Sequence, residues 1–180
     1  MMAAIVCIDK NRGIGFEGNL LFKIKEDMDF FKEVTTKNPN TIVLMGRKTH
    51  ESIGKILPNR INVVLTRNPK KYYKDDISQA TTQPNLIYCT DNTFNALYHL
   101  YKSIDGDIYI IGGEEIYRKY INYCDTIIMT KVDNEVDKVD TFFPEFDESK
   151  YNKSIIKQGE CEIDGEDVKF TIERYIKCAE

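Results

Sequence analysis

Apolar runs alternate with stretches of helical spacing along most of the chain. Six runs rich in Ile and Val, each bounded by turn-forming residues, predict buried strands: AAIVCI, TIVLMG, INVVLT, LIYC, DIYIIGG and TIIMT. Helical spacing is found between them, at residues 25–36, 49–54, 93–103 and 114–122. Because strands and helices alternate, we expect an α/β fold with a mixed, mainly parallel sheet and helices on both faces.

The pattern changes after Pro144. Residues 154–162 and 168–177 alternate polar and apolar positions around IDGED, in which Asp164 and Gly165 are the centre of a predicted turn. We therefore expect a C-terminal antiparallel hairpin at one edge of the sheet. Residues 68–85 are predicted to be a polar surface excursion with one short helix, and residues 1–180 to form a single domain.

Composition and charge exclude several classes of protein. The chain has 180 residues, of which 42% are hydrophobic and 30% charged, and a net charge of −4. Its 25 basic residues are interspersed among 29 acidic ones, which argues against nucleic acid as a partner. The five cysteines lie far apart and form no C-x-x-C pair, so we expect neither a disulfide framework nor a metal site. Without a signal-peptide pattern or a membrane-spanning run, we expect a cytoplasmic protein that has no membrane partner.

A loop rich in glycine joins the first strand to the first helix. Gly13, Gly15 and Gly18 give this loop the backbone freedom of a lid over a binding site. An ordinary surface loop is the alternative, because G-I-G-F-E-G does not have the placement of a dinucleotide-binding fingerprint between strand and helix.

The first helix carries one carboxylate on its apolar face. Ile24, Asp27, Met28 and Phe31 share the side that should pack on the sheet. A carboxylate among apolar groups is costly unless it is paired or binds a ligand, so Asp27 is a candidate site residue. A partly exposed aspartate, favoured near the helix start by the helix dipole, is the alternative.

Basic and hydroxyl side chains follow two of the predicted strands. Arg47, Lys48 and Thr49 come after TIVLMG, and Thr66 and Arg67 end or follow INVVLT. In open α/β sheets ligands bind at the carboxyl ends of the strands, so these residues suit a phosphate-bearing cofactor. Solvated surface cations are the alternative for any one of them.

A glycine pair follows the strand of DIYIIGG. Gly112 and Gly113 let the backbone approach a ligand closely, although a tight turn would also use them. Tyr117 lies one turn inside the next helix and could reach the same space, or could belong to the core.

These segments together resemble dihydrofolate reductase. The matching landmarks, in order, are GIGFEGNL-x-F with Asp27 and Phe31, MGRKTHESIG, LPNR with NVVLTRN, IIGGEEIY, TKVD and DTFFP. They span residues 3–144, and the terminal hairpin also fits the family. Each motif is moderately specific, and the specificity comes from all six in this order and spacing.

The resemblance implies an activity and an architecture. The activity is the NADPH-dependent reduction of 7,8-dihydrofolate to tetrahydrofolate, by hydride transfer to carbon 6 and protonation at nitrogen 5, in support of one-carbon metabolism. The architecture is a mixed, mostly parallel eight-stranded sheet. We expect a monomer that antifolate inhibitors bind.

The resemblance also implies where the substrate binds. Asp27 would hydrogen-bond the 2-amino group and a ring nitrogen of the pterin, with Thr130 as its partner. Arg60 would bind the α-carboxylate of the glutamate tail, for which a planar bidentate donor is suited. Tyr117 and Phe22 would complete the catalytic centre. The other implied substrate contacts are Ile5, Val6, Cys7, Met28, Phe31, Ser52, Ile53, Leu57 and Ile111.

The cofactor would lie across the carboxyl ends of the strands. The glycine pair, which the family joins by a cis peptide, would face the pyrophosphate, and residues 9–23 would form a lid. Lys48, Thr66 and Arg67 would surround the 2′-phosphate, which favours NADPH over NADH. The remaining implied cofactor contacts are Cys7, Ile14, Gly15, Asn19, Leu20, Gly46, Arg47, Thr49, Leu65, Ile111, Gly112, Gly113, Glu114, Glu115, Ile116 and Tyr117.

The chain departs from the family pattern at two aromatic positions and leaves two other functions open. Phe22 and His50 stand where Trp is common, and we expect Phe22 to pack and His50 to face solvent. One alternative is another NADPH-dependent reductase of this fold, acting on a ribosylaminopyrimidine. The other is a non-catalytic protein that retains the fold. Asp27 and Arg60 weigh against both.

Overall fold

The structure is a computed structural model that describes residues 1–72 and 85–178. Within these ranges the helices are α1 (Lys25–Thr36), α2 (Arg47–Ile53), α3 (Asp91–Ser103) and α4 (Glu114–Tyr120). Short 3-10 helices cover Pro69–Tyr72, Ile121–Tyr123 and Glu148–Lys150. The strands are β1 (Met2–Ile8), β2 (Gly13–Phe16), β3 (Asn19–Leu20), β4 (Thr41–Gly46), β5 (Ile61–Leu65), β6 (Leu86–Cys89), β7 (Asp107–Ile110), β8 (Thr126–Val132), β9 (Thr141–Phe142), β10 (Tyr151–Ile163) and β11 (Glu166–Lys177).

Eight strands form the central sheet in the order β10-β11-β8-β1-β7-β4-β5-β6. The strands from β8 to β6 are parallel, whereas β11 runs antiparallel to β8 and to β10. β10 and β11 are joined through Asp164 and Gly165, whose φ angles of 52° and 84° are typical of a two-residue hairpin turn. The predicted eight-stranded, mostly parallel α/β sheet with a C-terminal hairpin is confirmed.

Apolar side chains cover both faces of this sheet. On one face Leu44 of β4 belongs to a cluster with Phe94 of α3 and Tyr120 of α4. On the other face Val43, the neighbour of Leu44 along the strand, belongs to a cluster with Phe31 of α1. Because successive strand residues alternate between two covered faces, the central strands are continuous apolar runs in the sequence. The parallel strands all end at one edge, where the loops before α1, α2 and α4 gather.

The segment between β1 and α1 forms part of a second sheet, where we predicted an open loop. β2 pairs with β3 and with β9, which comes from more than a hundred residues further along the chain. Glu17 and Gly18, both with positive φ, make the turn between β2 and β3. Strands of two to four residues, one of them distant in sequence, are too short to show a periodicity from which they could be predicted.

A buried carboxylate anchors the base of this small sheet. Asp9, 1% exposed, accepts hydrogen bonds from the backbone N–H groups of Asn11, Gly13 and Val136, at 2.9, 2.6 and 3.2 Å. The backbone N–H of Asp9 in turn donates to the carbonyl of Gly13. One side chain therefore ties the turn after β1 to the chain after β8.

Element boundaries differ slightly from the predictions. α2 begins at Arg47, directly after β4, and not at residue 49, while α4 gives way to a 3-10 helix after Tyr120. In the predicted excursion at residues 68–85, Pro69–Tyr72 is a short 3-10 helix, and most of the remainder lies outside the described residues. No helix in the described part of the chain has the length and apolar composition needed to cross a bilayer.

Candidate active site

Helix α1 presents three functional side chains in a row. Asp27, Phe31 and Thr35 are spaced four residues apart, so they follow one another along one side of the helix. Ile24, the residue before the helix, is buried and fixes the start of α1 against the sheet. Glu26 is exposed on another side. The row lies against the face of the sheet that α1 covers.

Asp27 is held over the two central strands. The hydroxyl of Thr130, in β8, donates a hydrogen bond to Asp27 Oδ1, the contact that the resemblance implies. Thr130 stands opposite Cys7 of β1 in the β1–β8 register. Burial raises the pKa of Asp27, and the hydrogen bond from Thr130 acts in the opposite direction. Oδ2 has no hydrogen bond to any described residue and remains an acceptor for a ligand.

The wall beside Asp27 consists of β1 and of Tyr117. The phenol of Tyr117 is buried and donates to the carbonyl of Ile5 at 2.7 Å. Burial raises the pKa values of Tyr117 and of Cys7, and both receive a further upward contribution from the charge of Asp27. Both groups are therefore neutral at physiological pH, and Cys7 is a small apolar lining residue and not a nucleophile.

Arg60 lies at the other end of the α1 row. Its side chain is 4% exposed, with Nη1 donating to Thr35 Oγ1 at 2.8 Å and Nε to the Pro58 carbonyl at 2.9 Å. The guanidinium carbon lies 5.7 Å from the centre of the Phe31 ring, within cation–π range. No acidic side chain in residues 1–72 or 85–178 pairs with Arg60, and burial lowers its pKa. A buried cation without a counterion is suited to an anionic ligand.

The predicted ring-binding residues have mixed exposure. Phe22, with 8% of its surface exposed, and Val6 are buried. The half-buried residues are Phe31, Ile53, Leu57 and Ile111. Met28 differs from the prediction, because 55% of its surface is exposed and it does not pack on the sheet. Asp27 and Phe31 already occupy the side of α1 nearest the sheet, so Met28 is turned away from it.

The ends of β4 and β7 meet at a glycine-lined corner. The backbone N–H of Gly46 donates to the carbonyl of Gly112 at 2.8 Å, and the peptide between Gly112 and Gly113 is cis. A Cβ on Gly113 would lie 3.3 Å from Thr49 Oγ1, and one on Gly46 would lie 3.2 Å from Ile116. Side chains larger than hydrogen are therefore crowded at both positions, and the backbone itself forms the surface.

The predicted phosphate-binding cations differ in exposure and in whether they form an ion pair. Arg47 pairs with Glu51 on the next turn of α2, at 2.7 and 2.8 Å. Lys48 and Arg67 are exposed and form no ion pair with the described residues. The pKa of Asp140 is lowered chiefly by hydrogen bonds from the Thr141 hydroxyl and the Glu17 N–H, with a smaller contribution from the charge of Lys48. Leu65 and Thr66, at the end of β5, lie beside them and are mostly covered.

The small sheet reaches across the cleft. Ser52 Oγ of α2 donates to the Gly18 carbonyl at 2.5 Å, so its observed partner is the turn between β2 and β3. The Glu17 backbone N–H donates to Asp140, and the Phe142 backbone N–H donates to Glu114 of α4 at 3.0 Å. Two other predicted residues in this region, Ile14 and Gly15, lie in β2, and Ile14 is buried. The remaining three, Asn19, Leu20 and Glu115, are exposed.

Sequence reasoning missed polar residues of the site and misplaced one aromatic residue. Thr35 and Asn62 are fully buried and were given no role, because Thr35 belongs to no motif and Asn62 was noted only as the first residue of NVVLTRN. Glu114, a predicted cofactor contact, accepts a hydrogen bond from the Phe142 backbone N–H of β9. His50 does not face solvent as we expected. Its ring packs edge-to-face on Tyr88 at 5.7 Å, its buried Nδ1 has no hydrogen-bond partner within residues 1–72 and 85–178, and burial lowers its pKa.

Comparisons with known proteins agree on one family. Residues 1–177 match the family model described as dihydrofolate reductase. The chain is 32% identical over 159 residues to the dihydrofolate reductase of Bacillus subtilis, covering 88% of this chain and 84% of that protein. It is 34% identical over 154 residues to the Saccharomyces cerevisiae enzyme, covering 79% and 71%. The solved dihydrofolate reductase of Enterococcus faecalis, complexed with NADP(H) and RAB-propyl, superposes with a TM-score of 0.72 at 28% identity, covering 98% and 96%.

A cleft across the carboxyl ends of a parallel sheet, with separate polar groups at its two ends, defines an α/β protein of the class that binds ligands at this edge. Within that class, the match over residues 1–177 shows that the chain belongs to the dihydrofolate reductase family. Dihydrofolate reductase activity follows from this membership and from the named relatives.

Proposed function

We propose that the protein reduces 7,8-dihydrofolate to 5,6,7,8-tetrahydrofolate with NADPH, through hydride transfer to carbon 6 and protonation at nitrogen 5. One observation carries the proposal: a partly buried carboxylate and a buried guanidinium that pairs with no acidic side chain of the described residues lie along the same side of α1. Asp27 and Thr35, the helix partner of Arg60, are eight residues apart, which is about 12 Å along a helix axis. A ligand with a hydrogen-bond-donating ring at one end and a carboxylate at the other fits this spacing.

Asp27 recognises the ring and biases its protonation. Because Oδ1 is engaged by Thr130, Oδ2 is the oxygen available to the ring N–H and 2-amino donors. The carboxylate, when ionised, stabilises positive charge on the ring and so favours the form protonated at nitrogen 5. That protonation makes carbon 6 a better hydride acceptor.

Arg60 and Phe31 bind the rest of the substrate. The Nη2 of Arg60 and the second hydrogen of Nη1 are free to donate to the two oxygens of the α-carboxylate. Phe31, Ile53 and Leu57 are half-buried and provide the apolar surface for the benzoyl ring.

The residues at the phosphate end suit NADPH. The glycine corner of Gly46, Gly112 and Gly113 offers backbone surface without Cβ atoms, and Arg67 and Lys48 are cations that form no ion pair with the described residues. Arg67 with Thr66 would hold the 2′-phosphate, and Thr49 the pyrophosphate. NADPH, when bound, supplies the hydride. The complex of the Enterococcus faecalis relative with NADP(H) supports this choice.

The small sheet excludes water from the reacting rings. Ser52 fastens the turn at Gly18 to α2, and Asp140 fastens Glu17 to the chain before β9. Closure of this kind strengthens electrostatic interactions inside the site. The five free cysteines suit a reducing compartment, and we place the enzyme in the cytoplasm, as a monomer that supplies one-carbon metabolism and that antifolates inhibit.

The test is NADPH oxidation followed at 340 nm, with dihydrofolate and with a ribosylaminopyrimidine as alternative substrates. We expect turnover with dihydrofolate alone. Turnover only with the ribosylaminopyrimidine would assign the chain to a different reductase, and NADPH binding without turnover of either would remove the enzymatic proposal.

A further inference from the structure

Asn62 is a fully buried polar side chain to which sequence analysis gave no role. It lies in β5 with 0% exposure, and its amide contacts three other residues. Oδ1 accepts from the Leu57 backbone N–H at 2.9 Å, and Nδ2 donates to the carbonyls of Leu57, Arg60 and Asn85 at 2.9, 3.1 and 3.3 Å. Two amide hydrogens shared among three carbonyls leave no unused donor.

The side-chain amide of Asn62 forms the hydrogen bonds that a neighbouring strand would otherwise form with the backbone of the turn before β5. It binds both the N–H and the carbonyl of Leu57, as a backbone partner in a sheet would, and it also binds the carbonyl of Arg60. Between these anchors Asn59 has a φ of 61°, and the Pro58 carbonyl accepts the Nε of Arg60. The turn and its acceptor for Arg60 are thus held from within by one side chain.

Thr35 holds the same guanidinium from the opposite side. Its hydroxyl donates to the Phe31 carbonyl at 2.6 Å and accepts from Arg60 Nη1 at 2.8 Å. With Nε and one Nη1 hydrogen committed, the orientation of the free donors depends on the position of the turn. A displaced turn would move or rotate these donors while leaving the charge in place.

We propose that Asn62 is a positioning residue for recognition of the substrate's carboxylate tail, because it fixes the turn that aims Arg60. The proposal rests on the proposed function, since it assigns Arg60 to that carboxylate. A purely structural asparagine would affect every substrate and the cofactor alike. A positioning residue affects only the ligand that Arg60 touches.

The experiment compares two substrates in Asn62→Ser, with Val64→Ala as the matched control. Val64 lies on the same strand and the same face as Asn62 and is also fully buried. Its apolar side chain cannot form a hydrogen bond to the turn. For Asn62→Ser we expect the KM for dihydrofolate to rise about tenfold with kcat nearly unchanged, the signature of lost binding that is equal in ground and transition state. The KM for 6-methyl-7,8-dihydropterin, which lacks the benzoylglutamate, and the Kd for NADPH should stay within about twofold. Val64→Ala should lower thermal stability without separating the substrates.

A second cycle tests whether the effect passes through Arg60. In an Arg60→Leu background, Asn62→Ser should not raise the KM for dihydrofolate further, because no guanidinium remains to be aimed. If Asn62→Ser does not fold, Asn62→Thr, which is closer in volume and also loses the paired contacts to Leu57, should give the same substrate-dependent pattern. Equal KM increases for both substrates, or additive effects in the Arg60→Leu background, would overturn the proposal. Absence of turnover in the unsubstituted protein would instead refute the proposed function.

Discussion

At the proposed substrate end of the cleft the charged groups are largely withdrawn from solvent and hydrogen-bonded to the protein. At the proposed phosphate end, Lys48 and Arg67 are exposed and form no ion pair with the described residues. Asp27 is bound by Thr130 and Arg60 by Thr35 and Pro58, but Lys48 and Arg67 extend into solvent. Interactions in a low-dielectric site are strong and specific in geometry, while exposed ones are screened by salt. Under the proposed function, one end would therefore perform recognition and chemistry by fixed geometry, and the other would attract an anion by charge.

Asp27→Asn would break this contrast most severely. The substitution keeps the size of the side chain and an acceptor for Thr130 but removes the charge that favours a protonated ring. We expect kcat to fall about 100-fold or more at neutral pH, the range typical of lost proton and electrostatic assistance. The residual activity should increase as the pH falls, because the ring proton must then come from solution. Stopped-flow hydride-transfer rates between pH 5 and 9 would measure both effects, and a variant with the unsubstituted pH profile would contradict the role.

Arg60→Leu and Arg60→Lys sharpen the claim that geometry matters at the buried end. Arg60→Leu removes both the positive charge and the planar, forked donor of the guanidinium. We expect the KM for dihydrofolate to rise roughly 10- to 100-fold, as for loss of a charge-assisted bidentate contact. The lysine keeps the charge but not the planar fork, so it should recover only a small part of this loss. Full recovery by lysine would mean that charge alone binds the tail. Steady-state kinetics with dihydrofolate and 6-methyl-7,8-dihydropterin make the measurement.

The sequence predicted the central sheet and the position of Asp27 beside it better than it predicted the surroundings of either. The six apolar runs are strands because both faces of a parallel sheet are covered, and Asp27 interrupts an otherwise apolar helix side. The β2, β3 and β9 sheet was missed because β9 joins from a distant position. Asn62 and Thr35 were missed because their hydrogen bonds depend on which groups fold against them, and a single sequence does not state this. Met28 was misplaced because periodicity predicts a helix side but not how closely that side approaches its neighbours. His50 was misplaced because a departure from the family motif does not say which ring the new side chain packs against.

Arg67→Ala tests the phosphate end, where we expect a smaller effect. Because Arg67 is exposed and unpaired among the described residues, its loss should reduce the preference for NADPH over NADH about tenfold and leave kcat nearly unchanged. The NADPH affinity of the unsubstituted protein should fall with rising salt more steeply than that of the variant. Titrations of both cofactors at two salt concentrations would decide this, and a salt dependence identical in the two proteins would place the 2′-phosphate elsewhere.

The smallest predicted effect is on stability: the partly buried carboxylate of Asp27 lowers the free energy of unfolding. Burial raises the pKa of Asp27 in the folded state, so the folded protein binds a proton more tightly than the unfolded chain does. Stability therefore decreases as the pH rises from the ordinary aspartate pKa through the raised one, and the full cost is present above it. At neutral pH Asp27→Asn should unfold about 2–4 °C higher, the shift that about 1 kcal/mol gives a chain of this size. Thermal unfolding at a series of pH values should show this difference shrinking as the pH falls toward the ordinary value. A variant that is less stable at neutral pH, or a difference independent of pH, would mean that Thr130 and the surrounding backbone compensate the charge completely.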